Sequence, residues 1–201
     1  MSNIARLRPE DRDGEQSATQ RAYGDLRRMI ILGEIPPSKK LKIEDLRHKL
    51  NIGASPIREA LSLLVSDQLV VRMDQRGFFS AEISRRNFQE ILDLRTTLEE
   101  KALRLSVKNT NTSWEEEIVL SLHRLKRAEG QGLEKLEDQH KAFHMQLISN
   151  CGAPLLLGYC SQLYDLNIRY RFVAAEKSSY SGRDIKSEHQ SIVDPRVRAH
   201  H

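Results

Sequence analysis

Residues 55–64 read Ser55-Pro56-Ile57-Arg58-Glu59-Ala60-Leu61-Ser62-Leu63-Leu64, and this stretch decides the fold. Ile57, Ala60, Leu61 and Leu64 recur at helical spacing, so burying them turns Ser55, Arg58, Glu59 and Ser62 to the opposite face. Ser55 is a capping residue type and Pro56 suits the first helical position, where its missing N–H costs nothing. Upstream, Tyr23, Leu26 and Ile30 form one helical stripe, stopped by Gly33 and Pro36-Pro37. Leu41, Ile43, Leu46 and Leu50 form another, closed by Asn51-Ile52-Gly53. Downstream, two short strands are predicted at 69–73 and 78–83, joined by Asp74-Gln75-Arg76-Gly77. Three helices followed by a hairpin are the element order of a winged helix-turn-helix, in which the second helix of the motif meets base edges in the major groove.

Charge supports that reading once it is located. The 201 residues carry a formal net charge of only +4, from 32 Lys+Arg and 28 Asp+Glu. Residues 21–60 alone hold nine Lys/Arg against five acids, so the whole net charge sits around the helix-turn-helix. On charge alone this is equally a set of solvated helix faces; the motif decides for a phosphate-contacting surface. The candidate DNA contacts are Lys42 and Lys49 flanking the second helix, Ser55, Arg58 and Ser62 on the third, and Arg76-Gly77 at the wing tip. An arginine in the first turn of a recognition helix pairs with guanine O6/N7 or clamps a phosphate.

After Ser84 the strand signals vanish and helices follow at 85–107, from Thr112 to Gly130-Gln-Gly132, at 133–150 and at about 154–175. Phe88, Ile91, Leu94, Leu98, Ala102 and Leu105 are expected inward on the first, and Thr112-Ser-Trp-Glu115 has the form of a capping box. Ser178–Gly182 is read as a loop, and a last helix as starting near Asp184. The fold class is therefore mainly α: an N-terminal winged helix-turn-helix over 19–83 and an all-α antiparallel bundle over 84–201, preceded by a disordered polar tail over 1–18. No apolar run reaches the 18–20 residues of a membrane span. With Cys151 and Cys160 alone there is no disulfide framework, and the expected compartment is the cytoplasm.

The bundle carries its own chemistry. Leu133, Leu136, Phe143 and Leu147 mark the inner stripe of one helix, and His140 and His144 fall on it at i and i+4. Two facing imidazoles with ligands from other helices are how bundles build metal sites, and His189 is the candidate third ligand. The alternative is a pair of core histidines. No His-Glu-x-x-His pattern, phosphate loop or nucleophile elbow is present, which argues against an enzyme.

The stretch Tyr23–Gly33, Pro36-Pro37, Leu41, Ser55–Leu61, Leu69-Val70 and Arg76-Gly77 resembles the GntR family of bacterial transcription regulators. Leu94-Arg95, Leu98-Glu99, Phe143-His144, Glu188-His189 and Ile192 resemble the helical FCD domain of its FadR-like branch. The resemblance implies a homodimer that binds double-stranded operator DNA, most simply as a repressor. It also implies a divalent metal (zinc, nickel or manganese) and a small carboxylate effector, for which Arg95 and Arg169 are candidate grips, with Arg171 a further one; Arg95 pairing with Glu99 is the alternative for the first. Gly53 and Ala54 stand where a Ser-Arg pair is common, so operator preference does not transfer from relatives. His140 stands where an Asp is common, and Ala153 where an Asn is frequent. The family's last histidine lies well beyond position 189, whereas this chain ends twelve residues later, past Pro195. The final helix is accordingly expected to be missing, with His200 and His201 at a frayed end and an effector-blind DNA-binding dimer as the competing reading.

Overall fold

The computed structural model describes residues 16–177. These form seven helices, three strands and one 3-10 turn, grouped into two compact units. The first holds residues up to Met29 together with Ser38–Ala81; residues 30–37 group with the second, which continues from Glu82.

In the first unit, α1 (Ala18–Ile31) starts earlier than the apolar stripe indicates. Ser17 Oγ accepts from Gln20 N, and Gln20 Oε1 accepts from Ser17 N, each at 3.1 Å, a reciprocal capping box. Ala22, Leu26 and Met29 are buried, and Tyr23 donates its hydroxyl to Asp67 at 2.6 Å. A short β1 (Lys40–Leu41) precedes α2 (Ile43–Leu50). Leu41, expected on that helix, is therefore in a strand, and the hairpin becomes a three-stranded antiparallel sheet ordered β1-β3-β2. The pairing sets Leu41 against Phe78 and Arg72 against Phe78 from the other side. The strands β2 (Val70–Met73) and β3 (Gly77–Ser80) are shorter than predicted. Their turn needs left-handed backbone at Gln75 (φ 57°) and Gly77 (φ 91°), the second at the expected glycine.

Helix α3 spans Ala54–Ser66 and buries Ile57, Ala60, Leu61 and Leu64 as the pattern requires. Its N-cap is Gly53, so Ser55 is already inside the helix and does not cap it. Ser55 instead donates its hydroxyl to Glu59 one turn on, at 3.2 Å.

The second unit contains α4 (Arg85–Lys108), α5 (Thr112–Ala128), α6 (Leu133–Ile148), a 3-10 turn (Ser149–Cys151) and α7 (Pro154–Lys177). Helix α5 packs along α6, and α4 along α7 and the 3-10 turn. Ser84 caps α4 by accepting from Asn87 N, but α5 is capped by Asn111, which accepts from Trp114 N, so Thr112 is not the cap. The 3-10 turn takes what the sequence assigns to the end of α6, and Gly152 at φ 67° stops it. Asn109 Nδ2 donates to Asn150 O at 3.1 Å and Asn150 Nδ2 returns the bond to Asn109 O, tying the end of α4 to that turn.

The core gathers Ala102, Trp114, Ile118, Leu122, Leu125, Phe143, Leu147, Ile148, Cys151 and Cys160. Leu94, expected inward on α4, is instead 47% exposed. On α4 the positions four, seven and eleven after buried Ile91 are Arg95, Leu98 and Ala102, so helical geometry gives the inner slot to the arginine. Arg95 thus carries a charge inside the bundle, as a candidate grip on that face requires, while Leu94 turns outward.

Candidate DNA-binding face and candidate effector site

The side chains proposed for DNA lie on the surface of the first unit. Lys42, Lys49, Ser55, Arg58, Ser62, Arg76 and Gly77 are all exposed. Lys42 occupies the N-cap position of α2 without capping through its side chain, and Lys49 sits in its last turn. Ser62 donates to Arg58 O at 3.0 Å. The pairing of Arg58 with Glu59, the obvious alternative to a DNA contact, is not what Glu59 does: its carboxylate accepts from Thr19 Oγ1 at 2.8 Å and from Ser55 Oγ. Arg58 thus stands on the exposed side of α3 next to a carboxylate already held by α1. On the sheet, Arg76 and Lys40 lie 5.9 Å from the centre of the Phe79 ring, and Arg72 lies 6.0 Å from that of Phe78. Exposed cation–π contacts are worth about 0.5–1 kcal/mol, enough to order these side chains without binding them tightly.

The second site is built inside the helical unit by α4, α6 and α7. His140 and His144, one turn apart on α6, bring their Nε2 atoms to 3.2 Å. Tyr164 Oη on α7 lies 2.6 Å from His140 Nδ1, and Arg171 Nη1 lies 3.4 Å from the same nitrogen. Glu137 stands one turn before His140, with Oε2 3.5 Å from Nδ1 and Oε1 3.3 Å from Arg171 Nη2. Arg95 donates Nε to Glu99 at 2.7 Å and Nη1 to Asn167 Oδ1 at 2.9 Å, with its guanidinium 4.8 Å from the Tyr164 ring centre. Lys141 pairs with Asp165 at 2.7 Å beside them. The Glu99 pairing considered for Arg95 is therefore formed, and it holds the guanidinium across the Tyr164 ring.

Burial sets the electrostatics. It pushes the Tyr164 phenol far above its ordinary value, with Glu137 adding to the effect, so this hydroxyl stays protonated at any physiological pH. Burial likewise lowers the Arg169 guanidinium, which is 2% exposed. Arg169 and Arg171 are two positions apart on α7, hence on different sides of it; of the two, Arg171 joins the histidine cluster. Two buried atoms of the cluster, Glu137 Oε2 and Asn167 Nδ2, have no hydrogen-bond partner among the described residues.

For a metal, two donors fit. Imidazole nitrogens sharing one divalent ion about 2.0–2.1 Å from each stand roughly 3 Å apart, close to the separation seen here. Among the described residues no three His, Cys, Asp or Glu side chains are grouped as ligands. His189, the expected third ligand, lies outside the described residues, as do the Ser178–Gly182 loop, the helix near Asp184, His200 and His201.

Residues 18–79 match the bacterial regulatory proteins of the gntR family, and residues 90–195 match the FCD domain. The chain is 31% identical over 172 residues to the HTH-type transcriptional repressor GlaR of Escherichia coli (strain K12), covering 83% of this chain and 78% of that one. It is 32% identical over 186 residues to the HTH-type transcriptional regulator BphR of Paraburkholderia xenovorans (strain LB400), covering 89% and 76%. The chain belongs to the GntR family. Its fold matches the solved structure of McbR/YncC of E. coli at a TM-score of 0.72 and 22% identity, covering 89% of this chain and 84% of that one. A second match is a GntR transcriptional regulator from Rhodococcus sp. RHA1, at 0.71 and 19%, covering 92% and 88%. This GntR protein is a DNA-binding transcriptional regulator with an FCD domain and not an enzyme. No helix among the described residues is long and apolar enough to cross a membrane.

Sequence reasoning singled out the two histidines and Arg95 but passed over Glu137, Tyr164 and Asn167. Glu137 had a usable signal: it precedes His140 by three and His144 by seven, so it shares their face. Tyr164 and Asn167 had none, because only the packing of α7 against α4 and α6 brings them in.

Proposed function

We propose that this GntR regulator is a cytoplasmic homodimeric repressor whose residues 19–83 bind a two-fold operator and whose residues 84–201 dimerise and bind a small carboxylate. The observation that carries the DNA reading is the exposed face of α3: Arg58 is presented there while its neighbour Glu59 is held by Thr19 and Ser55. Arg58 reads a base edge or clamps a phosphate, Ser55 and Ser62 flank it, Lys42 and Lys49 neutralise backbone, and Arg76-Gly77 follows the adjacent groove. GlaR, a relative in name a repressor, favours repression.

In the helical unit, His140 and His144 would hold a divalent metal (zinc, nickel or manganese), with His189 as third ligand. The bound ion supplies a positive centre with a position open to a carboxylate oxygen. Arg95, braced by Glu99 and Asn167, faces the other end of the effector, and Arg171 adds positive charge from α7, whereas Arg169 lies on another side of that helix. Fluorescence anisotropy of the full chain on the DNA upstream of its own gene tests this reading. Specific binding, weakened by at least one member of a panel of small mono- and dicarboxylates in zinc-containing buffer, is the expected result. Specific binding that no carboxylate alters overturns the effector half; no specific binding overturns the whole.

A further inference from the structure

We propose that the outer face of α4 is a self-complementary surface on which a second copy of this chain docks, the two α4 helices crossing antiparallel at Thr97. The proposal rests on the homodimer reading above and gives it a face and an orientation.

Glu90, Asp93, Leu94, Thr97, Lys101 and Arg104 follow one another on α4 at steps of three or four residues, so they form one stripe, and all six are exposed. Ile91 and Ala102 of the same helix are buried in the bundle. Leu94 is an apolar side chain held 47% open to solvent inside this charged stripe. Charge divides at Thr97: both acids precede it and both bases follow it. Asp93 and Lys101 are about 12 Å apart along the axis, beyond the single turn over which side chains pair on one helix. The bonds formed within the helix leave the division standing. Asp93 accepts from Gln89 at 2.9 Å, and Arg104 pairs with Glu100 at 2.8 Å through side chains 78% and 57% exposed, a contact that exchanges readily.

The helix dipole does not account for this order. It favours acids in the first turn and bases in the last, as α5 has with Glu115 and with Lys126 and Arg127. The first turn of α4 has no acid; Arg85 and Arg86 stand there instead. A second copy does account for it. Laid parallel and in register, the stripe would set acid against acid. Laid antiparallel about a two-fold axis at Thr97, Asp93 meets Lys101 of the partner subunit and Glu90 meets Arg104 of the partner subunit, and symmetry forms each pair twice. Leu94 falls beside the aliphatic stem of the partner's Lys101. Arg86 and Lys108 lie about 16 Å either side of the crossing, where helices packed at an angle have diverged, so their like charges stay apart.

Exchange of charge gives the test, read by sedimentation equilibrium of the full chain in low-salt buffer, where exposed pairs are least screened. Wild type is expected to be dimeric. Reversing the acids (Glu90→Lys with Asp93→Lys) or the bases (Lys101→Glu with Arg104→Glu) sets like charges together and should weaken self-association at least about tenfold. Mixed in equal amounts, these two variants complement each other and should form a heterodimer close to wild type in strength. Thr97→Arg, a single exposed substitution that puts two cations on the axis, carries the test should a double variant fail to fold by circular dichroism. Variants that dimerise as wild type does, or weakened ones that mixing does not rescue, overturn the α4 face and leave the homodimer reading standing. A wild-type chain that is monomeric at every concentration overturns that reading, and this proposal with it.

Discussion

The two units hold their candidate functional residues in opposite ways. On the winged helix, Arg58, Lys42, Lys49 and Arg76 stand exposed, and the fold only has to present them. In the helical unit, Arg95, Glu137, His140, Tyr164 and Asn167 are largely withdrawn from solvent and bonded to each other. A DNA phosphate or base edge is a rigid external partner, so the protein's contribution is a cation in the right place. A small ligand of the proposed kind has to be surrounded, and the candidate side chains for it are mostly bonded to one another. The contrast implies that function and stability are separable on the first unit and entangled in the second.

Matched arginine truncations probe that separation most directly. Arg58→Ala is expected to cost about 1–3 kcal/mol in operator affinity, roughly 5–150-fold, by anisotropy. Its melting temperature should stay at the wild-type value, since surface changes of this kind fall within about 0.5 kcal/mol. A variant that binds its operator as wild type does would remove Arg58 from the interface and break the comparison on its first side. Arg95→Ala should show the reverse pattern: a stability loss of about 1–3 kcal/mol in urea unfolding, because Glu99 and Asn167 lose a partner inside the bundle. Operator affinity without effector should be unaffected. Equal stability of Arg95→Ala and wild type would mean that the cluster is not coupled to the fold.

The smallest expected effect concerns Cys160, which is fully buried in the same bundle. Burial first, then Glu99 and Cys151, pushes its thiol from 9.0 up to about 11. The unfolded chain loses this proton at lower pH than the folded one, so the contribution is intact below pH 9 and is lost as pH rises towards 11. Unfolding curves at pH 8 and pH 10 should differ more for wild type than for Cys160→Ala. A thiol reagent should label Cys160 only as the chain unfolds; rapid labelling under native conditions would contradict its burial.

The same division explains how far the sequence could be read. Arg58 was legible because a helix with one apolar stripe leaves its opposite face to solvent, a deduction that needs no partner. The turn at Gly77 was legible for a similar local reason. Ser55 was misplaced by two positions, since Gly53 takes the cap and both residue types serve there. β1 escaped because its two residues are strand only through pairing with Phe78 and Phe79. Inside the bundle, His140 and His144 were visible as an i, i+4 pair and Arg95 as an inward candidate, whereas Leu94, also expected inward, is exposed. Adjacent residues on a helix differ by 100°, and which of them faces inward depends on where α7 lies.

The two orphaned atoms, Glu137 Oε2 and Asn167 Nδ2, also bear on how the proposed effector is to be found. A buried polar atom without a partner costs about 1–3 kcal/mol, and whatever completes it returns that energy to the folded state. A ligand at one hundred times its dissociation constant adds about 2.7 kcal/mol by mass action, which moves a melting curve by several degrees. The polar debt inside the helical unit thus turns its melting temperature into a screen, in which candidate metabolites are ranked by heat resistance before any operator is known.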